Sequence, residues 1–148
     1  MAYTLQALIT EEAAARMASP AAAFVVSLPQ GKAMIPLSGP MREMHGIPFL
    51  PLTDEGHEDV PKSIADIVFP MAKIANVAYV EAEFFGGNGT QACVTWGPTS
   101  TASQVFVDTH AINKALQFLG VRKGDHHDEF DAMGLGRHRS TEDWEDAA

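Results

Sequence analysis

The densest group of side chains that could do chemistry lies in residues 125–131, where four acids flank two adjacent histidines. The group consists of Asp125, His126, His127, Asp128, Glu129 and Asp131. On a helix His127 and Asp131 would share a face, and neutral imidazole and carboxylate are both metal ligands. The spacing matches neither a His-Glu-x-x-His site nor a calcium loop. We favour a solvated charged segment, with a metal site on His126, His127 and Asp131 as the alternative.

Two further carboxylates, Glu81 and Glu83, fall on one face of a predicted strand. They could serve as a general acid and base, as the solvated face of a sheet, or as an acidic recognition surface with Tyr79 and Phe85 as anchors. The solvated face is the commonest of these arrangements, recognition ranks second, and catalysis ranks third.

Other routes to catalysis find little in the sequence. Cys93 is the single cysteine and is predicted in mid-strand beside Glu81 and Glu83, where acidic neighbours raise a thiol pKa. The glycine-rich run at 86–89 lacks a lysine and joins two predicted strands, so it indicates a hairpin turn rather than a phosphate loop. We therefore expect no enzyme activity and no cofactor.

The charge balance bears on partners. Nineteen acidic residues face ten basic ones, giving a formal net charge of −9, which disfavours direct binding to nucleic acid or to an anionic membrane. The excess acid either maintains solubility or steers a basic partner. A proline-punctuated segment, 38–61, is predicted to be a loop and is the expected place for binding. Four of its acids cluster together, Asp54, Glu55, Glu58 and Asp59.

The compartment follows from cysteine usage and hydropathy. One cysteine allows no intramolecular disulfide, which suits a reducing compartment. The N-terminal residues lack a basic region followed by an apolar stretch, and the apolar runs are shorter than a membrane span. Cytoplasm is the expected location.

Three helices are predicted from apolar spacing. The first covers 4–18, with Thr10 as an alternative late start; the second covers 62–75, where Pro70 should kink or end it; the third covers 108–119. From Arg122 onward the chain is polar and charged, and we expect a partly frayed tail from about residue 136.

Four strands are predicted as two hairpins, 23–28 with 32–37 and 76–85 with 90–96. In the second hairpin, a five-residue or bulged connection would place all the apolar residues on one face. The resulting pairs are Phe84 with Ala92, Ala82 with Val94, and Val80 with Trp96. The prediction is a single α+β domain, 1–148, with a mainly antiparallel four-stranded sheet and about three helices packed on one face.

Four segments of the second half carry a family resemblance. They are Tyr79-Val80-Glu81-Ala82-Glu83-Phe84-Phe85-Gly86-Gly87, Gly89-Thr90-Gln91-Ala92, Ile112-Asn113-x-Ala115-Leu116, and the run from Asp128 to Gly136. Over about residues 76–144 the chain resembles small bacterial immunity-type proteins of polymorphic toxin and contact-dependent inhibition systems. The resemblance implies a cytoplasmic protein that binds and blocks a cognate toxin domain. The resemblance carries over no toxin-contact residues. Acidic charge and neighbouring aromatic residues give the partner-binding candidates: Tyr79, Glu81, Glu83, Phe85, Asp54, Glu55, Glu58, Asp59, Asp125, Asp128 and Glu129. The expected partner is a basic and possibly nuclease toxin; a small metal-dependent hydrolase using the His126/His127 cluster is the alternative.

Overall fold

The computed structural model describes residues 2–85, 88–99 and 101–147. Its strands are β1 Ala2–Glu11, β2 Val26–Ser27, β3 Lys32–Pro36, β4 Val77–Phe85, β5 Asn88–Trp96 and β6 Phe106–Val107. Its α-helices are α1 Glu12–Ala18, α2 Gly39–His45, α3 Lys62–Ala72, α4 Ala111–Phe118, α5 Glu129–Ala132 and α6 Thr141–Glu145. No helix in these ranges has the length and apolarity needed to cross a lipid bilayer.

The strands form one open sheet in the order β2-β3-β1-β4-β5-β6, and every neighbouring pair is antiparallel. The α+β class and the antiparallel sheet are thereby confirmed. In the described ranges the sheet has six strands rather than the four expected, because β1 and the short β6 were not predicted.

The main correction concerns β1, which was predicted as the first helix. Residues 2–11 form the central strand, and Leu8 lies between Ile35 of β3 and Tyr79 of β4. A strand buried on both faces is apolar along most of its length, so its pattern overlaps that of a buried helix. Only α1 is helical here, which fits the late start considered at Thr10.

The hairpin of β2 with β3 and the hairpin of β4 with β5 are both present, but the predicted register of the second is wrong. Ala82 pairs with Gln91 and Val80 pairs with Cys93, while Phe85 faces Asn88. The predicted register places only apolar residues on one face of the hairpin. Both faces of this hairpin are covered, so apolar residues can lie on either face and need not be gathered on one by the register. The turn residues 86 and 87 lie outside the described residues.

Helices pack on both faces of the sheet, not on one as predicted. One face carries Ala7, Ile9 and Val80 against α4 and the C-terminal residues. The opposite face carries Leu8, Ile35 and Tyr79 against α1 and α3. The predictions of helices near 62–75 and 108–119 are confirmed with shorter bounds, and α3 ends two residues after Pro70.

The predicted frayed tail is also wrong. Residues 139–141 lie along the N-terminal half of β1: the Thr4 N–H donates to the Arg139 carbonyl oxygen at 2.8 Å, and the Gln6 N–H donates to the Thr141 hydroxyl at 3.0 Å. Ser140 caps α6, and Trp144 of that helix is fully buried. One large aromatic side chain anchors a segment whose charged composition indicates exposure.

Candidate protein-binding surface

Glu81 lies in the middle of β4 and is fully buried. Its carboxylate accepts hydrogen bonds from the Leu52 N–H at 3.1 and 3.2 Å, from the Thr53 N–H at 2.9 Å and from the Thr53 hydroxyl at 2.9 Å. The hydroxyl of Tyr79, also fully buried, donates to it at 2.5 Å. The expectation that Tyr79 and Glu81 lie on an exposed acidic face is therefore wrong. The sheet face that carries them is covered by the loop before α3.

Gln6 of β1 extends this contact to more of the same loop. Its side-chain amide donates to the Tyr79 hydroxyl and to the Pro48 carbonyl oxygen, each at 3.0 Å, and its Oε1 accepts from the Leu50 N–H at 3.3 Å. Two adjacent strands thus hold residues 48–53 through three side chains. We call Gln6, Tyr79 and Glu81 the buried anchor.

In the buried anchor, hydrogen bonds from the loop take the place of water around the Glu81 carboxylate, and Tyr79 beside it is neutral. A buried carboxylate is costly unless hydrogen bonds replace its water, and the loop N–H groups supply them. Burial raises the pKa of Tyr79 well above its ordinary value, and the charge and hydrogen bond of Glu81 raise it further. Tyr79 therefore remains a proton donor to Glu81 throughout the physiological pH range.

Leu50 adds a sign that the loop conformation is imposed by its surroundings. It is a buried non-glycine residue with φ of 43°, in the left-handed region that L side chains disfavour. Its carbonyl oxygen accepts from the Asp54 N–H at 3.0 Å and the Glu55 N–H at 3.3 Å. Such backbone persists where the surroundings determine it, and it concentrates at functional sites.

The consequence is an acidic loop, residues 47–61, that is fixed at its base and exposed at its tip. Its four acids, Asp54, Glu55, Glu58 and Asp59, are all exposed. Among the described ion pairs these acids contribute one, a 3.9 Å contact of Glu55 with His57. Phe49, 43% exposed, stands at the start of the loop with the Arg42 guanidinium 4.9 Å from its ring centre.

The remaining predicted partner residues fall into two groups: Glu83 and Phe85 of β4 lie on the same sheet face as Glu81, and those near α5 lie on the other side. Glu83 is half-buried and Phe85 is 60% exposed, both near the C-terminal end of β4. Asp125 is exposed, and Asp128 and Glu129 are half-buried. The acidic loop packs through Ile47 and Leu52 on one face of the sheet, whereas Phe130 packs on the other. The two acidic segments therefore lie on opposite sides of the sheet.

The structure does not assemble the metal site considered for residues 125–131. His126 Nδ1 lies 3.2 Å from Asp131 Oδ2, but α5 begins only at Glu129, so His127 and Asp131 do not share a helical face. In the part of the chain that the structure describes, no three His, Cys, Asp or Glu side chains are grouped to hold a metal ion. The hydrolase alternative gains no support from this geometry.

Cys93 is buried in β5, and burial raises the pKa of its thiol to about 11, with the charge of Lys114 acting in the opposite direction. The direction agrees with the sequence-based expectation, but its cause is burial rather than neighbouring acids. A protonated, buried thiol is a poor nucleophile.

Both tyrosines of the chain are buried, and burial raises the pKa of each above the ordinary value of 10.0. Because the pKa of each tyrosine is higher in the folded state than in the unfolded state, the two neutral tyrosines contribute to the free energy of unfolding. That contribution is complete below about pH 10 and is lost as the pH rises further. We expect tyrosinate absorbance and loss of circular dichroism to appear together in an alkaline titration. Ionisation of Tyr79 near pH 10 in a protein that keeps its folded circular dichroism would contradict the buried anchor, and Tyr79→Phe identifies its share of the absorbance.

Sequence reasoning missed Gln6, Thr53 and Leu50. A signal for Gln6 exists, because it is a polar residue inside an otherwise apolar run, and buried polar groups need partners. The partners came from a loop more than forty positions away, which no local pattern encodes.

Comparison of the chain with models of protein families, with curated proteins and with solved structures finds no match. The resemblance to immunity-type proteins therefore stays a prediction.

Proposed function

We propose that this chain is an acidic protein-binding module, of the immunity type, that binds and neutralises a basic cognate toxin domain in the cytoplasm. The observation that carries the proposal is the buried anchor, which fixes the base of the acidic loop while its four acids remain exposed. The acidic loop is the proposed contact surface.

A fixed loop favours binding because less conformational entropy is lost when the partner docks. Free loops of this length are mobile, yet this one has buried hydrophobic residues at Leu50 and Leu52 and backbone hydrogen bonds to Glu81. The buried carboxylate of Glu81 beneath the loop and the strained backbone of Leu50 within it both hold the loop in one conformation, as a binding loop requires.

The charge of the loop favours a basic partner. Asp54, Glu58 and Asp59 form no ion pair with a cation in the described residues, so their field extends into solvent. Opposite charges accelerate encounter and give specificity more than they add affinity. Phe49 supplies the partly exposed aromatic side chain that often anchors such an interface.

The test uses the products of the genes adjacent to the one encoding this chain, each expressed with and without it. We expect one product to inhibit growth and the chain to relieve that inhibition. With the purified pair, Asp54→Lys combined with Glu58→Lys should slow association at least about tenfold at low salt, because like charges now face each other. Rates measured by surface plasmon resonance check this.

The matched control is Asp143→Lys combined with Asp146→Lys, which makes the same charge change at two exposed positions on and just after α6. It should alter the association rate by less than about threefold, an effect of net charge that salt screens over roughly 8 Å. Equal effects from the two double variants would mean that net charge alone governs association, and the acidic loop would not be the contact surface.

A further inference from the structure

A pocket of about 260 Å³ opens on the side of the sheet opposite the acidic loop, between the end of β4, the start of α4 and the residues that begin α5. Its lining includes Phe84, Gln91, His110, Asn113, Asp128 and Phe130. Pockets for drug-sized ligands span about 300–1,000 Å³, so this one suits a single side chain or a small ion better than a whole cofactor.

Two aromatic rings form walls of the pocket and are held in place from behind. Tyr3 contacts both, with ring centres 5.6 Å from Phe84 and 5.8 Å from Phe130. The Tyr3 hydroxyl donates to the Leu135 carbonyl oxygen at 2.9 Å, which fixes the supporting ring. A Cβ atom at Gly89 would overlap the Phe84 ring, so only glycine leaves room for that wall of the pocket.

Asp128 supplies the charge of the pocket. One carboxylate oxygen accepts from the Asp131 N–H at 2.8 Å, and the other accepts from the Asn113 side-chain amide at 3.2 Å. A carboxylate has about four acceptor positions, so each oxygen keeps one. Neither lysine nor arginine lines the pocket in the part of the chain that the structure describes. The carboxylate is thus oriented from two sides, with no cation of this chain at the pocket.

We infer that this pocket binds an arginine side chain of the basic partner, which places a second contact on the opposite side of the sheet from the acidic loop. The inference rests on the proposed function for the identity of the partner. A planar guanidinium pairs with a carboxylate through two hydrogen bonds and stacks on aromatic faces. A lysine ammonium is compact and strongly hydrated, and it uses such walls less well.

The pocket is tested with a capped peptide, acetyl-Gly-Arg-Gly-amide, titrated into the isotope-labelled full chain at low salt and about pH 8, where an ordinary histidine is neutral. Amide resonances of Gln91, Asn113 and Asp128 should shift with the arginine peptide. They should not shift with the citrulline analogue, which has the same shape and no charge. The lysine analogue should bind about fivefold more weakly or worse.

Asp128→Asn is the variant that removes the charge. Its one side-chain oxygen can still accept from the Asp131 N–H and so preserve the helix cap, while the hydrogen bond from the Asn113 amide is lost with the charge. This variant should weaken arginine binding about tenfold, the loss expected for one charge-assisted pair. Asp131→Asn removes a charge three residues away, outside the pocket lining, and should weaken binding less than about twofold. Equal losses in the two variants, equal affinity for lysine, or shifts with citrulline would overturn the assignment.

The two proposals fail separately. If Asp54→Lys with Glu58→Lys leaves partner association unchanged while the arginine peptide still shifts the pocket resonances, the proposed contact surface is wrong and the arginine pocket stands. If the arginine peptide causes no shift at saturating concentration, the pocket is refuted, and the salt-dependent association through the acidic loop is unaffected.

Discussion

Replacing Glu81 by leucine is expected to lower the free energy of unfolding by about 3–5 kcal/mol. The change leaves the N–H groups of Leu52 and Thr53 and the hydroxyl of Tyr79 without their acceptor, and a buried unsatisfied polar group costs about 1–3 kcal/mol. Solvent entry at the loop relieves part of that cost, so the total is less than the sum. Urea unfolding followed by tryptophan fluorescence gives the value.

Two further variants separate the loss of acceptors from the loss of charge. Glu81→Gln keeps one acceptor oxygen and the side-chain size, so its cost should lie between those of the leucine variant and the wild type. Glu83→Gln, two residues along the same strand and only half-buried, should change stability by less than about 0.5 kcal/mol. A leucine variant that loses less than about 1 kcal/mol would contradict the buried anchor.

The second large effect is expected at Trp144, where substitution by alanine should cost about 3–5 kcal/mol. The side chain is fully buried in the cluster that also contains Leu5, Ile9 and Met133, so its removal leaves a large cavity. Thermal unfolding of the variant measures the loss.

Trp144→Phe is the control for that experiment. The indole Nε1 has no hydrogen-bond partner among the described residues, so phenylalanine sacrifices volume but no hydrogen bond. Its cost should be less than half that of the alanine variant. A chain truncated after residue 139 that unfolds at the wild-type temperature would show that the C-terminal residues do not belong to the core.

The predictions from sequence succeeded where the spacing of apolar residues fits only one kind of secondary structure. The apolar spacing of Ile64, Ile67 and Val68 predicts a helix, and α3 carries these residues buried on one side. The alternation of Ala78, Val80 and Ala82 likewise predicts a strand, and β4 confirms it. In each case one period explains the whole segment.

The failures at β1 and at Glu81 share one physical cause, a sheet covered on both faces. Burial of both faces makes β1 apolar along most of its length, so its residues fit a helix as well as a strand. The same burial places Glu81 in the core, although alternation with apolar neighbours is typical of a solvated face. Nothing in the local sequence indicates that residues 48–53 cover this face, because their contacts with Gln6 and Glu81 join distant parts of the chain.

The acidic loop was predicted only in part, because its contacts with the sheet join residues that are distant in the sequence. The segment 38–61 was predicted to be a loop throughout, but its first part forms α2, Gly39–His45, and only residues 47–61 form a loop, in which Asp54, Glu55, Glu58 and Asp59 are exposed. The role of this loop in binding stays a prediction. The prediction did not include the buried anchor, since Tyr79 and Glu81 were assigned to the surface rather than beneath it. The distinction matters, because an anchored loop binds with less entropic cost than a free one.

Hydrogen–deuterium exchange on the complex with the purified basic partner tests the central claim most directly. We expect the amides of Gly56, Glu58 and Asp59 to gain the greatest protection on binding. Little change is expected in those of Leu52 and Thr53, which already donate to Glu81 in the free protein, or in those of Asp54 and Glu55, which already donate to the Leu50 carbonyl oxygen. Protection confined to other parts of the chain, with residues 54–59 exchanging as in the free protein, would contradict the proposed role of the acidic loop.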